Sequence, residues 1–445
     1  MEQPTSFARL WDKLATLCLV NLLSFYCFYL SGILYIESTT LFFNPASTGF
    51  ASVSSLLSFF LGFLLRPIGA LFFGFVGDTR GAKKSLVQSM GLLGVMTLGI
   101  GILPSFEKIG IVASLMNVFL RLGQGFAIGG TYSCSAILGY ELAPEGAKGR
   151  YTSLLQLSVP AGYLAAMAII VILKLMIGIE AFLSWGWRAC FMLSILVLYF
   201  TFRLHRSDEF DQVHTERSTP AEYRDHLAGF LSNKIQLKNF FLMILPLMVG
   251  LGVVGYISNI YKLYFFQSVL KVDAPTVSFI IATSSLLYMP SYYLWGRRAD
   301  RIGSETVLLH GLTLSLIFIF PLFMLLQYWV THHAGAQARL GFSTLVMILI
   351  SAGISSVAII GYSPLIAYVC QRVPTALRCT LFSLVYNLGF GILSGIVHLM
   401  SGFLFEKYRW VFVGLWLMEI IGVICAVIIL FYRRKMVTSD SRSAL

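Results

Sequence analysis

Gly74-Phe75-Val76-Gly77-Asp78-Thr79-Arg80-Gly81-Ala82-Lys83-Lys84 closes one apolar run, which begins near Leu56, and precedes another that begins at Leu86. Glycines bracket one acid, and three bases follow it. The same event recurs at Trp295-Gly296-Arg297-Arg298-Ala299-Asp300-Arg301-Ile302-Gly303. Gly74 and Gly296, Asp78 and Asp300, and Gly81 and Gly303 are each 222 positions apart (300 − 78), half of a 445-residue chain. A bend repeated at half the chain length reads as two copies of one membrane unit.

The bulk composition agrees. Hydrophobic residues make up 57% of the chain and charged residues 12%, with a mean hydropathy of +0.81. A soluble chain carries about a quarter charged residues, so charge is excluded here as hydrocarbon requires. The net charge of +12 lies in short connections rather than on one face, which fits the positive-inside rule and not nucleic-acid binding. Seven cysteines show no metal-ligand spacing and read as small buried hydrophobes. No phosphate-binding loop and no cluster of His, Asp and Ser at one interface is present, which argues against an ATP-driven machine or a membrane enzyme. No cofactor or metal is expected.

Apolar runs long enough to span a bilayer, about 20 residues, fall near 14–36, 51–75, 86–104, 110–140, 151–173 and 185–203, then near 238–268, 275–296, 306–330, 340–369, 379–403 and 409–432. The sequence therefore predicts an all-α integral membrane protein of twelve transmembrane helices in two pseudo-symmetric six-helix bundles. The bundles cover 1–205 and 238–445, joined by a polar linker at 206–237. Bases concentrate in alternate connections (Arg80, Lys83 and Lys84; Lys148 and Arg150; Arg297, Arg298 and Arg301; Arg372 and Arg378). That bias predicts cytoplasmic termini and a cytoplasmic linker. The first run, Leu14 to Ile36, is too long for a signal-peptide core and reads as a retained span.

Four further stretches carry a family likeness: Leu65-Arg66-Pro67-Ile68-Gly69 leading into Gly74-x-x-Gly-Asp, Arg121-Leu122-Gly123-Gln124-Gly125-Phe126-Ala127-Ile128-Gly129-Gly130, Trp185-Gly186-Trp187-Arg188 and Val385-Tyr386-Asn387-Leu388-Gly389. The chain resembles the major facilitator superfamily, and within it the metabolite:proton symporters that include proline/betaine, α-ketoglutarate, citrate and shikimate permeases. The resemblance implies alternating access in a cell inner membrane by two rocking bundles, with a small organic acid or zwitterion as substrate and a monomer in lipid as the working unit. It departs from the branch in span 1, which usually carries a Glu and an Asp but reads Asn21-Leu22-Leu23-Ser24-Phe25-Tyr26-Cys27-Phe28 here. It departs again at Thr131, where the branch usually has Glu. Proton coupling is the expectation, and an uncoupled facilitator or exchanger, or a non-transporting sensor derivative of the fold, is the alternative.

Candidate gating residues are Gly74, Gly77, Asp78, Arg80, Gly81 and Lys83 in the first bend and Gly296, Asp300, Arg301 and Gly303 in the second. Asp78 is placed to accept from helix N-terminal amides or to pair with a base. Pseudo-symmetry points to Arg378 as its partner and to Arg150 facing Asp300. Glu141 is expected to pair with Arg150 across their short loop. Arg121 lies roughly ten residues into span 4, at a depth where an ionisable group is costly and usually faces a cavity. Gln124, three residues on, shares its side. The pair is a candidate contact for a substrate carboxylate; the plainer alternative is a charge bonded to backbone carbonyls. Tyr26, Gln156, Tyr256, Tyr386 and Asn387 are further candidates for the substrate pocket, and Glu419 and His398 are candidate proton carriers. Arg66 reads as an arginine snorkelling to the interface, and Arg188 as an outer-interface anchor.

Overall fold

The computed structural model describes residues 7–34, 62–207, 218–333 and 341–397, together with 41–43, 210 and parts of 400–428. Among these, ten helices are long and apolar enough to cross a membrane. Helices dominate because a bilayer offers the backbone no water, so each segment must bond its own N–H and C=O groups. The helices are span 1 (Leu10–Ile33), span 3 (Ala82–Ile102), span 4 (Ile111–Leu142), span 5 (Lys148–Ile177), span 6 (Ile179–Arg206), span 7 (Lys234–Val269), span 8 (Pro275–Ile302), span 9 (Ser304–His333), span 10 (Phe342–Arg372) and span 11 (Thr375–Val397). Span 2 is described from residue 62, with its helix at Arg66–Arg80, and a shorter apolar helix at Leu415–Cys425 marks span 12. The pattern is that of a twelve-helix membrane protein. His398 lies outside the described residues.

The duplicated bends are tighter than the sequence suggested. Gly74 to Arg80 are the last turns of span 2, not a loop, and span 3 begins at Ala82. Gly81 alone reverses the chain, at φ +100°, and Gly303 does the same between spans 8 and 9 at φ +90°. Only glycine adopts this backbone without strain. Each caps the helix before it, donating its N–H to Gly77 and to Ala299 respectively, both at 3.0 Å. Each also starts the helix after it, since Ser85 and Val307 donate back to the two glycine carbonyls. The two bends share one set of backbone bonds.

Two compact units form. The first takes residues 1–144, 155–226 and 373–387; the second takes 145–154, 227–372 and 388–445. Within the first, spans 2 and 4 touch backbone to backbone. A Cβ on Gly125 would overlap the Gly62 carbonyl, one on Gly129 the Arg66 carbonyl, and one on Gly69 the Phe126 carbonyl. Small residues allow that approach where hydrophobic transfer cannot drive helices together in lipid. Within the second unit, Gly311 of span 9 meets the backbone of Gly361 of span 10 in the same manner. Span 7 is irregular, with turns of π-helix at Phe240–Ile244, Ile257–Tyr261 and Phe265–Val269.

A helix at Pro220–Ser232 occupies the polar linker. Thr219 and Glu222 cap it reciprocally: the Thr219 N–H donates to the Glu222 carboxylate at 2.7 Å, and the Glu222 N–H to Thr219 Oγ1 at 3.3 Å. These bonds hold the Glu222 carboxyl below the usual glutamate range. Tyr223 packs on Phe75 with ring centroids 5.0 Å apart, and its hydroxyl lies 3.1 Å from Thr380 Oγ1. The Ser218 N–H donates to the Asp78 carbonyl at 3.1 Å. The linker helix is thereby fastened to the end of span 2.

Candidate functional site

Asp78 is almost fully buried in the first unit. Its Oδ1 accepts from the Cys379 N–H at 2.8 Å and its Oδ2 from the Thr380 N–H at 3.0 Å. Both donors belong to the first turn of the helix Arg378–Val385, where amides lack an intrahelical acceptor and carry the positive end of the helix dipole. Gly74 and Gly77 make the approach feasible. A Cβ on Gly74 would lie 2.5 Å from Thr380 Cα, and one on Gly77 2.7 Å from Cys379 Sγ.

The second unit repeats the device. Asp300 accepts from the Gly149 N–H at 2.6 Å and from the Arg150 N–H at 3.2 Å, at the start of span 5. A Cβ on Gly296 would meet Ser153 Oγ and the Gly149 carbonyl. Arg150 adds a longer contact, Nε to Asp300 Oδ2 at 3.6 Å.

The expected pairing of Asp78 is corrected. Arg378 is not the partner of Asp78, whose oxygens are taken by backbone amides. Arg378 instead reaches Glu141 at 3.4 Å, in a largely buried pair. Arg150 faces Asp300. Lys83 donates to the Ser207 carbonyl at 2.5 Å, tying span 3 to the end of span 6, while Arg80 and Arg301 are exposed. In the second unit Arg372 pairs with Glu305 and lies over the Tyr368 ring.

Arg121 is 6% exposed and turned into the first unit, donating to the Ser31 carbonyl of span 1 at 2.8 Å. Its Nε has no hydrogen-bond acceptor among the described residues. Gln124 is the neighbour the helical spacing predicted: its Oε1 accepts from Ser31 Oγ at 3.1 Å and its amide donates to Thr97 Oγ1 of span 3 at 2.8 Å. Gln124 is thus bonded within the protein, whereas the guanidinium keeps unused donor capacity.

Other candidates serve as ties between helices. The Tyr26 hydroxyl donates to the Cys190 carbonyl of span 6 at 2.7 Å. Asn387 is saturated: its amide donates to the Gly129 and Ser383 carbonyls, and its Oδ1 accepts from Arg66 Nε at 3.0 Å. Arg66 therefore does not snorkel; it is buried and lies within 5.4 Å of the Phe28 and Phe63 ring centroids. Tyr386 packs on Tyr132 at 4.4 Å, and Gln156 is buried in span 5 of the first unit. Tyr256 is half-buried in the second unit. Glu419, also of the second unit, has one buried carboxyl oxygen, Oε1, without a hydrogen-bond partner among the described residues. Arg188 stacks on Trp187 at 4.3 Å, as an interface anchor does.

The positions without the expected acids are filled by neutral groups. Ser24 bonds to the Val20 carbonyl and Thr131 to the Ala127 carbonyl, while Cys27 is buried. Asn21 donates to Ser158 Oγ at 2.6 Å and accepts from Ser135.

One buried ion escaped the sequence reading. Lys262 is 1% exposed inside span 7 and reaches the Ser351 carbonyl and Ser355 Oγ of span 10. Its place inside the 238–268 apolar run was the available signal.

Comparison with known proteins follows the same lines. Residues 15–207 match the sugar (and other) transporter family. A putative proline/betaine transporter of Staphylococcus aureus strain COL is 31% identical over 289 residues, 64% of this chain and 61% of that protein. The chain thus matches less than two thirds of that relative's length. A shikimate transporter of Escherichia coli K12 is 29% identical over 69% of this chain and 71% of its own. An inner membrane metabolite transport protein of the same strain is 27% identical over 89% and 88%. Among solved structures, a proton:xylose symporter bound to 6-bromo-6-deoxy-D-glucose superposes with a TM-score of 0.72 at 16% identity, covering 94% of both chains.

Proposed function

We propose that the chain, which matches the sugar (and other) transporter family over residues 15–207 and resembles the metabolite:proton symporters of the major facilitator superfamily, is a secondary transporter. It carries a small organic acid or zwitterion across a cell inner membrane by alternating access, with cytoplasmic termini and linker. The observation that supports this best is the duplicated latch, in which Asp78 and Asp300 each grip the first amides of a helix distant in sequence. A carboxylate on two or three amides is strong enough to hold one access state. It also comes apart without leaving a charge in hydrocarbon, because it lies at a helix end. In this reading both latches are made in one access state and broken in the other.

Arg121 is the cationic contact for a substrate carboxylate, because its guanidinium is buried with an unbonded Nε and no acid beside it among the described residues. A buried ion without a partner marks a ligand pathway more often than a packing device. Neutral groups at Ser24, Cys27 and Thr131 favour an uncoupled facilitator or exchanger over proton symport by the usual acids. Two measurements decide. Proteoliposomes are expected to take up at least one of proline, betaine, succinate and shikimate, and absence of uptake across the panel rejects the transporter. Uptake that does not respond to an imposed pH gradient identifies the uncoupled mode; acceleration by an inward proton gradient identifies symport.

A further inference from the structure

Span 7 buries the Lys262 ammonium with no carboxylate paired to it among the described residues. Lys262 lies between two turns of π-helix, Ile257–Tyr261 and Phe265–Val269, and irregular helix of this kind recurs at binding sites inside membranes. Its Nζ donates to Ser355 Oγ at 2.7 Å and to the Ser351 carbonyl at 3.4 Å. An ammonium carries three donors, so one is unused among the described residues, and no ion pair reaches it there. The oxygens around it are already committed to one another. Ser355 donates to the Ser258 carbonyl at 3.2 Å, Ser351 to Ser284 Oγ at 3.2 Å, and Ser284 to the Ile281 carbonyl at 3.0 Å. All four serines are buried. The result is a dry serine belt across spans 7, 8 and 10 that fixes the lysine in place without neutralising it.

A purely structural lysine at this depth would be replaced at little loss by a methionine, because its stem makes the packing and its head costs desolvation. The geometry points to a different role: Lys262 is an anion-recognition residue of the second unit, taking a carboxylate of the transported solute on its unused donor. The proposal rests on the transporter reading and extends it, since it assigns to the second unit a cationic contact independent of Arg121. The serine belt supplies positioning rather than charge, and a carboxylate supplies both the missing acceptor and the countercharge.

The test is modification of the full-length chain in nanodiscs with a small amine-acylating reagent. Extents at Lys262 and at exposed Lys234 are read by peptide mass spectrometry, at constant ionic strength, with acetate, succinate or uncharged xylose present. Acetate or succinate is expected to slow acylation of Lys262 severalfold while leaving Lys234 unchanged, and xylose to affect neither. Acylation indifferent to carboxylates overturns the proposal, and so does a Lys262 that never reacts. A second arm measures thermal stabilisation by succinate: it is expected to be clearly smaller in Lys262→Met, where Arg121 remains, and to persist in Lys262→Arg. Equal stabilisation of Lys262→Met and wild type overturns the proposal as well. Uptake on the same preparation separates the two readings. Carboxylate protection without uptake rejects transport alone, and uptake with an indifferent Lys262 rejects this inference alone.

Discussion

The carboxylate of Asp78 meets two backbone N–H groups, and backbone donors cannot be exchanged by mutation. This decides which substitutions report on the latch. Asp78→Ala leaves two buried amides unpaired, at about 1–3 kcal/mol each, and is expected to lower the initial uptake rate at least tenfold. Asp78→Asn keeps one acceptor and loses the charge, so it should fall between the two. Reversing Asp78 together with Arg378 should rescue nothing. The reversal that should restore part of the lost uptake is Glu141→Arg with Arg378→Glu, because those side chains do face each other; no recovery over the single changes would remove that pair from the gate. Arg121→Gln keeps the shape and loses the charge, and uptake of a carboxylate solute should drop by roughly the tenfold or more that a charge-assisted bond commands. Sequence reasoning placed Asp78 and Arg121 correctly as unusual, yet it missed what they touch. Motif spacing identifies a residue that needs a partner, whereas a backbone amide leaves no mark in the sequence.

Helices expose a different limit. The apolar runs located ten of the spans, but span 2 continues as helix through Asp78 and Arg80, where hydropathy had already ended it. The polar residues there belong to a helix end at the membrane face, so composition changes before backbone geometry does. The glycine signals were legible because their meaning is steric. Gly125 and Gly129 meet the span 2 backbone, as small residues four apart on one helix face allow. Gly129→Val should therefore separate spans 2 and 4 and lower the melting temperature of purified protein by several degrees, and an unchanged melting curve would deny the close approach. The linker helix makes a pH prediction. The Glu222 carboxyl is held below its ordinary range by its bonds to Thr219, so the cap is intact at neutral pH and fades as pH falls through that depressed value. Hydrogen exchange in 220–232 should therefore accelerate in acid beyond its intrinsic pH dependence. Glu222→Ala, which removes the acceptor of the Thr219 N–H, should show that loss of protection already at neutral pH.

At the scale of the molecule, duplication was visible from the 222-residue offset alone, since the two bends repeat both their residues and their backbone bonds. The division into units was less accessible. The start of span 5 packs with the second unit and the start of span 11 with the first, and contacts such as Asp78 with Cys379 join residues some 300 positions apart. No local pattern encodes them. Lys262 escaped for a related reason, because averaging over an apolar window conceals one charge. The repeated latch leads to a last expectation. If both latches are made in one access state and broken in the other, each stabilises that state wherever it lies, and loosening one shifts the population that exposes the other. Cys379 is fully buried beneath the Asp78 latch, so its maleimide labelling rate reports how often that latch opens. Asp300→Ala changes a residue of the second unit. Removing about 1.4 kcal/mol from the closed state should nonetheless speed Cys379 labelling roughly tenfold, read by peptide mass spectrometry on intact chain in nanodiscs. Two latches that open independently would leave the Cys379 rate unchanged, and a transporter that switches as one body cannot.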